Sequence, residues 1–232
     1  MKNMQDDLIY DVGMHNGDDT AYYLTKGYRV VGIDANPELC AACENRFADA
    51  IAEGNLTILN VGVGIEPGSA EFFINDRESQ ISSFAPNLEQ RHEWRSITRP
   101  ITPLSSIMLE HGVPYFAKID VEHFDHLVLR DLLAHQIRPE LISAEAHSTE
   151  TFDALQAMGY GSYALTEGYK VPEMYRAHAI RLRNGDQRIY AFEPFSSGPF
   201  GEDLIGEWLP PNAFEAELNR VGLGWIDIHA RI

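Results

Sequence analysis

Two short stretches of the chain carry side chains that can hold or move a proton. Asp120 and Glu122 stand two residues apart, as do Glu145 and His147, and His123 follows directly on Glu122. Residues two apart in a β-strand face the same side. Two neighbouring parallel strands would therefore gather Asp120, Glu122, His123, Glu145 and His147 at one rim, where open α/β sheets bind ligands. A carboxylate or a neutral imidazole at such a rim accepts a proton from a hydroxyl nucleophile. His147, with a reference pKa of about 6.5, is suited to that near neutral pH. The same donors suit a divalent cation. Their spacing matches no diagnostic metal motif, so metal-free chemistry is the expectation. The plain structural alternative is that Glu122 or His123 caps the helix beginning at Phe124.

A second set of residues is suited to holding a ligand. Asp11-Val12-Gly13-Met14-His15-Asn16-Gly17-Asp18 places glycines where a strand turns into a helix, and Asp34 follows 17 residues after Gly17. Glycines in such a turn let the backbone approach a ligand, and the helix start offers free amide donors. An acidic side chain at the end of the next strand accepts hydrogen bonds from both hydroxyls of a ribose. Together they describe a nucleoside-containing cofactor on the carboxyl edge of a parallel sheet. Met14 and His15 stand where G-x-G-x-x-G has its second glycine, the residue that lets a pyrophosphate come close. This argues against NAD or FAD and for an adenosyl cofactor without a diphosphate. An ordinary βα turn explains the glycines alone, but not Asp34 and Asn36-Pro37 at this distance.

These residues need a scaffold of alternating strands and helices. Residues 8–12, 28–33 and 56–61 read as buried strands. Helices over 17–26 and from Pro37 to about Glu53 lie between them. Asp18 and Asp19 suit the positive end of the first, and Asn36-Pro37 forms the cap and first turn of the second. Short connections imply parallel, right-handed βαβ units. Residues 70–74 are a further strand after a turn at Pro67-Gly68. Residues 115–120 and 141–144 are the fourth and fifth strands, leading into helices that start near Phe124 and Thr149. Residues 160–165 and 188–192 are expected to pair antiparallel at a sheet edge. The expectation is a single domain over 1–232, with a core over 1–194 and an ordered cover over 195–232.

Three ordered blocks narrow the reading. Residues 11–20 (DVGMHNGDDT), 30–37 (VVGIDANP) and 118–122 (KIDVE), with Ser82-Ser83 and Ser143-Ala144-Glu145, resemble the signature blocks of FkbM-type S-adenosylmethionine-dependent methyltransferases over most of residues 8–146. The resemblance implies an α/β, class I methyltransferase, Rossmann-like fold, with a mostly parallel seven-stranded sheet and an antiparallel last strand. It implies S-adenosyl-L-methionine as cofactor, S-adenosyl-L-homocysteine as product, and O-methylation of a sugar, secondary-metabolite or carrier-linked hydroxyl. Gly13 and Gly17, with His15 and Asn16 in the same loop, would cradle the methionyl part, and Asp11 would help hold its amino group. Asp34, flanked by Ala35 and Asn36, would hold the ribose. Asn60, Val61 and Gly62, ending the third strand, would lie near the adenine, and Asp120 would border the cofactor. The family continues Asp-Val-Glu with glycine, where this chain has His123. Methyl transfer is an in-line displacement that needs the acceptor oxygen held about 3–3.5 Å from the sulfonium carbon. Asp120 and His147 are the first candidates for its base, with Glu145 and His123 beside them.

Weaker signals have plainer explanations. Cys40 and Cys43 have redox spacing, but they fall inside a helix without a partner pair and read as packing residues. Arg91, Arg95 and Arg99 recur every four residues and would share a helix face. An anionic substrate group would explain them, but with Glu89 and Glu93 nearby a solvated, salt-bridged face is the simpler expectation. Residues 196–203 are a candidate lid, with packing as the alternative.

Composition sets the outer bounds. The 35 acidic against 18 basic residues leave a formal charge of −17 over 232 residues, which repels nucleic-acid backbones. No apolar run approaches the roughly 20 residues of a membrane span. The polar, acidic start does not resemble a secretory signal, and two cysteines are too few for a disulfide scaffold. The expectation is a cytoplasmic protein with a small-molecule acceptor and an open oligomeric state. Two other classes compete: a nucleotide-dependent oxidoreductase or epimerase, which bound nicotinamide would reveal, and a non-catalytic adenosyl-binding module, which cofactor binding without methyl transfer would reveal.

Overall fold

The computed structural model describes residues 4–86 and 94–232. Strand β1 (Met4–Val12) sends Leu8, Tyr10 and Val12 to one face of the central sheet and Ile9 to the other, the period of an extended chain. Helix α1 (Asp18–Thr25), strand β2 (Arg29–Ile33), helices α2 (Pro37–Arg46) and α3 (Ala48–Ala52) and strand β3 (Leu56–Leu59) follow. Asn36 caps α2 by accepting a hydrogen bond from the Glu38 N–H at 3.0 Å, with Pro37 in the first turn. The helix expected to run to about Glu53 is broken at Phe47, whose φ of −114° separates α2 from α3.

Strands β4 (Gly62–Gly64), β5 (Gly68–Asn75) and β6 (Trp94–Pro103) form a separate small sheet in the order β4-β6-β5. Helix α4 (Leu104–His111) returns the chain to the main sheet, which continues as β7 (Val113–Ile119), α5 (Asp125–Ala134), β8 (Leu141–Glu145), α6 (Thr149–Ala157) and β9 (Ser162–Glu167). A short helix α7 (Val171–Met174), a hairpin of β10 (Ala179–Arg181) and β11 (Gln187–Ile189), helix α8 (Pro211–Val221) and strand β12 (Ile226–Arg231) complete the described fold.

The main sheet has the order β3-β2-β1-β7-β8-β12-β9. Neighbours are parallel except β12, which runs antiparallel to both β8 and β9. From β1 the chain winds outward through β2 and β3, then restarts on the other side at β7. That reversal between β1 and β7 is the switch point at which such sheets open a ligand crevice beyond their strand ends. One face is covered by α4, α5, α6 and α8 through Met108, Val128, Leu132, Leu155 and Phe214. On the other, Tyr22, Tyr23, Phe116 and Phe200 pack together, with the Phe116 and Phe200 rings stacked at 4.2 Å.

Two sequence expectations are corrected. The antiparallel neighbour of β9 is β12, while residues 187–189 pair with 179–181 in the small hairpin. Strand β12 escaped notice because its Ile-Asp-Ile-His pattern looks half-exposed, yet Asp227 and His229 are both buried. Arg95 and Arg99 lie on strand β6, so they share no helix face; Arg91, Glu89 and Glu93 fall outside the described residues. Arg95 pairs with Asp76 and Glu38, and Arg99 is bound to Asn60.

Candidate active site

The ends of β1, β2, β7 and β8 converge on a crevice of about 460 Å³. Its floor is the turn after β1. Gly13 has φ 79°, and a Cβ there would lie 1.8 Å from the Asp120 carbonyl oxygen, so only glycine lets the β1 and β7 ends come this close. Gly17, at φ 81°, is the N-cap of α1 and packs against Phe47.

Asp34 ends β2 with both carboxyl oxygens engaged by backbone. Oδ2 accepts from the His15 N–H at 2.8 Å and Oδ1 from the Asn36 N–H at 2.7 Å. A carboxylate offers about four acceptor sites, so each oxygen keeps one for a ligand. Burial raises the Asp34 pKa to about 6, against the lowering effect of those two amides.

Of the sequence-selected residues, Gly13, His15, Asn16, Asp34, Ala35, Asn36, Val61, Gly62, Asp120, Glu122, Glu145 and His147 line the crevice. Asp11, Gly17, Asn60 and His123 do not. Asp11 is completely buried beneath the turn, where Oδ2 accepts from the Thr20 hydroxyl at 2.6 Å; it supports the loop from below. Asn60 donates to the Asp34 carbonyl at 2.9 Å and receives Arg99, which fastens the small sheet to the end of β2. His123, itself exposed, packs against His147 with ring centroids 4.2 Å apart and planes tilted by 43°. Neither Glu122 nor His123 caps α5: its N-cap, Phe124, makes no side-chain cap, and Asp125 receives the Val121 N–H. Cys40 and Cys43 are free, buried packing residues.

Lys118 governs the charge at the bottom of the crevice. Its ammonium donates to the Gly13 carbonyl at 3.1 Å and faces Asp120 at 3.1 Å, Asp11 at 3.7 Å and Asp19 at 3.9 Å. Burial opposes its charge, but these carboxylates outweigh it and raise the Lys118 pKa. In return, Lys118 overcomes the burial of Asp120 and holds its carboxyl below the ordinary range. Glu145 is hydrogen-bonded to Asp120. Burial and the Asp120 charge push the Glu145 pKa far up, so Glu145 carries the shared proton.

The other end of the crevice holds Glu122, Glu145 and His147, with donor atoms all within 4.8 Å of one another. His147 Nε2 lies 2.9 Å from Glu145 and 3.8 Å from Glu122, yet it is buried without a hydrogen-bond partner. Burial, with His123 beside it, lowers the His147 pKa to about 4, so the ring is neutral. Burial and the Asp120 charge raise Glu122 to about 8. Three donors at this spacing admit a divalent ion only with water completing its shell.

A family profile described as the methyltransferase FkbM domain matches residues 11–176. The chain belongs to this family. The seven-stranded, mostly parallel sheet with its reversed β12 is the class I methyltransferase, Rossmann-like fold. Solved structures similar to it include a methyltransferase FkbM from Methylobacillus flagellatus KT, at 17% identity over 72% of this chain and TM-score 0.48; the alignment spans only 41% of that longer chain. A precorrin-6y C5,15-methyltransferase from Geobacter metallireducens GS-15 aligns at 14% identity over 98% of this chain and 81% of that chain, TM-score 0.40. A precorrin 8w decarboxylase from Methanobacterium thermoautotrophicum aligns at 13% identity with the same coverage of both chains, TM-score 0.41. No curated protein matches the sequence significantly.

Membership of the FkbM methyltransferases implies S-adenosylmethionine as the cofactor, and the crevice fits it. The volume lies within the 300–1,000 Å³ or so of small-ligand pockets, and Asp34 retains free lone pairs. No described helix is long and apolar enough to cross a membrane. Sequence reasoning quoted Lys118 only as part of a block and gave it no role. It also missed Ser79, which meets His15 Nε2 at 2.8 Å, and the aromatic residues Phe195 and Trp225 at the crevice wall. Backbone conformation carried a signal invisible in sequence: of five described non-glycine residues with positive φ, three (His15, Glu122 and Phe195) line this crevice. Such strain persists where packing enforces it and concentrates at functional sites. Residues 196–200 are buried, and Asp19 binds Ser196 at 2.5 Å and the Ser197 N–H at 3.1 Å, so this segment is packed rather than lid-like.

Proposed function

We propose that this protein is an S-adenosylmethionine-dependent O-methyltransferase acting on a small or carrier-linked hydroxyl compound. The observation carrying the reading is that Asp34 opens onto the same crevice as Asp120, Glu145 and His147. Asp34 holds the ribose hydroxyls, Ala35 and Val61 border the adenine, and the turn from Gly13 to Asn16 receives the methionyl part. The cofactor supplies a methyl group on a positively charged sulfur.

His147 is the candidate base. Its neutral Nε2 accepts the hydroxyl proton as the acceptor oxygen forms its bond to the methyl carbon and the sulfur–carbon bond breaks. Glu122 lies 3.8 Å from that nitrogen and, once ionised, offsets the charge it gains. Asp120, tied up by Lys118 and by the Glu145 proton, is better placed to attract the cofactor's ammonium than to take a proton. Incubation with methyl-labelled cofactor and fractionated extract is expected to give one labelled, base-stable ether product. A tightly bound cofactor with no labelled product in any fraction would return the protein to the class of non-catalytic binding modules.

A further inference from the structure

Two features of the crevice go unused by methyl transfer as such. The first is charge. Among its described lining residues, Asp18, Asp19, Asp34, Asp120, Glu122 and Glu145 supply carboxyl groups and Lys118 is the only cation. That cation is taken up by Asp11, Asp19, Asp120 and the Gly13 carbonyl. An acceptor carrying phosphate or carboxylate meets no free positive partner on these walls.

The second is an aromatic face. The rings of Phe195 and Trp225 stack at 5.6 Å and 22° on the crevice wall. Phe195 is 64% exposed and held at φ 73°, a conformation costly for a bulky residue. Trp225 directly precedes β12. The Ala146 N–H donates to the Ile226 carbonyl at 2.8 Å, and Asp227 lies opposite Glu145 in register. The aromatic pair is thereby tied to the strand end that carries Glu145 and His147.

Aromatic faces beside carboxyl groups recognise organic cations, through ring quadrupoles and charge together. We propose that the acceptor is a hydroxyl-bearing organic cation, with a protonated or quaternary ammonium centre held between the Phe195–Trp225 face and the Glu122 carboxylate. This rests on reading the crevice as a methyl-transfer site. A protonated or quaternary nitrogen has no lone pair to attack the methyl group, so the hydroxyl remains the nucleophile.

The test uses choline as probe, its uncharged isostere 3,3-dimethylbutan-1-ol, and 3-hydroxypropionate as the anionic control. Each is titrated by calorimetry into protein saturated with S-adenosylhomocysteine, in EDTA. Choline is expected to bind about tenfold or more tighter than the isostere, with no detectable binding of the anion. F195L, which keeps bulk but loses the ring, is expected to remove that preference, and F195Y to keep it. Thermal melting of both variants reports whether they fold. Failure of choline to bind, equal affinity for choline and isostere, or an F195L variant that folds and keeps the preference would each overturn the inference. S-adenosylhomocysteine binding is measured separately: its absence counts against the cofactor reading, whereas its presence without choline preference counts against the cationic acceptor alone.

Discussion

Lys118 Nζ stands 3.1 Å from Asp120 Oδ2, inside the sheet and almost wholly shielded from water. The same ammonium holds the Gly13 carbonyl, so one cation fixes both the charge of the crevice and the shape of its floor. Replacing it by methionine keeps most of the volume and strands the Asp11, Asp19 and Asp120 carboxyls. Loss of one partner from a buried ion pair costs about 3–5 kcal/mol. The K118M variant is therefore expected to melt well below the parent and to regain part of the difference at low pH, where those carboxyls protonate. A melting temperature unchanged at pH 7 would remove Lys118 from this role.

Asp34 titrates at about 6, and only its ionised form accepts from both ribose hydroxyls while holding the His15 and Asn36 amides. Cofactor affinity is expected to fall as pH drops through 6. D34A removes bonds to a charged acceptor worth about 1.5–3 kcal/mol each, a loss of roughly tenfold to a hundredfold or more in affinity. Calorimetry between pH 5 and 8 checks both; a flat profile in the parent, or an unchanged dissociation constant in D34A, refutes the ribose contact.

His147 is already neutral above about 4, so its own titration does not limit turnover at pH 6–9. Glu122 does titrate in that window, at about 8, and its carboxylate favours the imidazolium formed during proton transfer. The turnover rate is expected to climb through pH 8, and E122Q to flatten the climb. H147A is expected to lower turnover by about 10²–10⁴-fold with little effect on cofactor binding. A pH profile identical in parent and E122Q would dismiss the coupling.

Without ligand, the carboxyls carry a stability signature of definite sign. Folding raises Asp11 to about 7, Asp34 to about 6, and Glu122 and Asp125 to about 8, all mainly through burial. Above pH 4 the native state therefore holds more of these protons than the unfolded chain does, and this contribution falls as pH rises. His147 and His229, lowered by burial to about 4 and 3, act oppositely, but only below their unfolded value of about 6.5. Between pH 6.5 and 8 the acids act without that opposition. The ligand-free melting temperature is expected to decline across that interval, and a rise there would contradict the protonated carboxyls.

Local signals made much of this architecture legible. The β1–α1–β2 run, the Asn36-Pro37 cap and the rim of Asp120, Glu145 and His147 follow from strand periodicity, capping chemistry and glycine placement. What stayed hidden depends on distant partners. Strand β12 disguises itself because its buried Asp227 and His229 look like exposed positions until Glu145 and Thr166 are packed beside them. The placement of Asp11 and Asn60 is hidden for a related reason: a residue at a strand end can face the crevice or lie beneath it. Here Thr20 and Lys118 draw Asp11 inward, while Asp34 and Arg99 occupy Asn60.

The proton lodged on Glu122 near neutrality, and the one on Asp34 around pH 6, also make this crevice a reservoir that an arriving cation empties. Heat measured on ligand association should then include the ionisation enthalpy of whichever buffer collects the expelled hydrogen ions. Titrations in phosphate and in Tris would disagree by an amount that counts them.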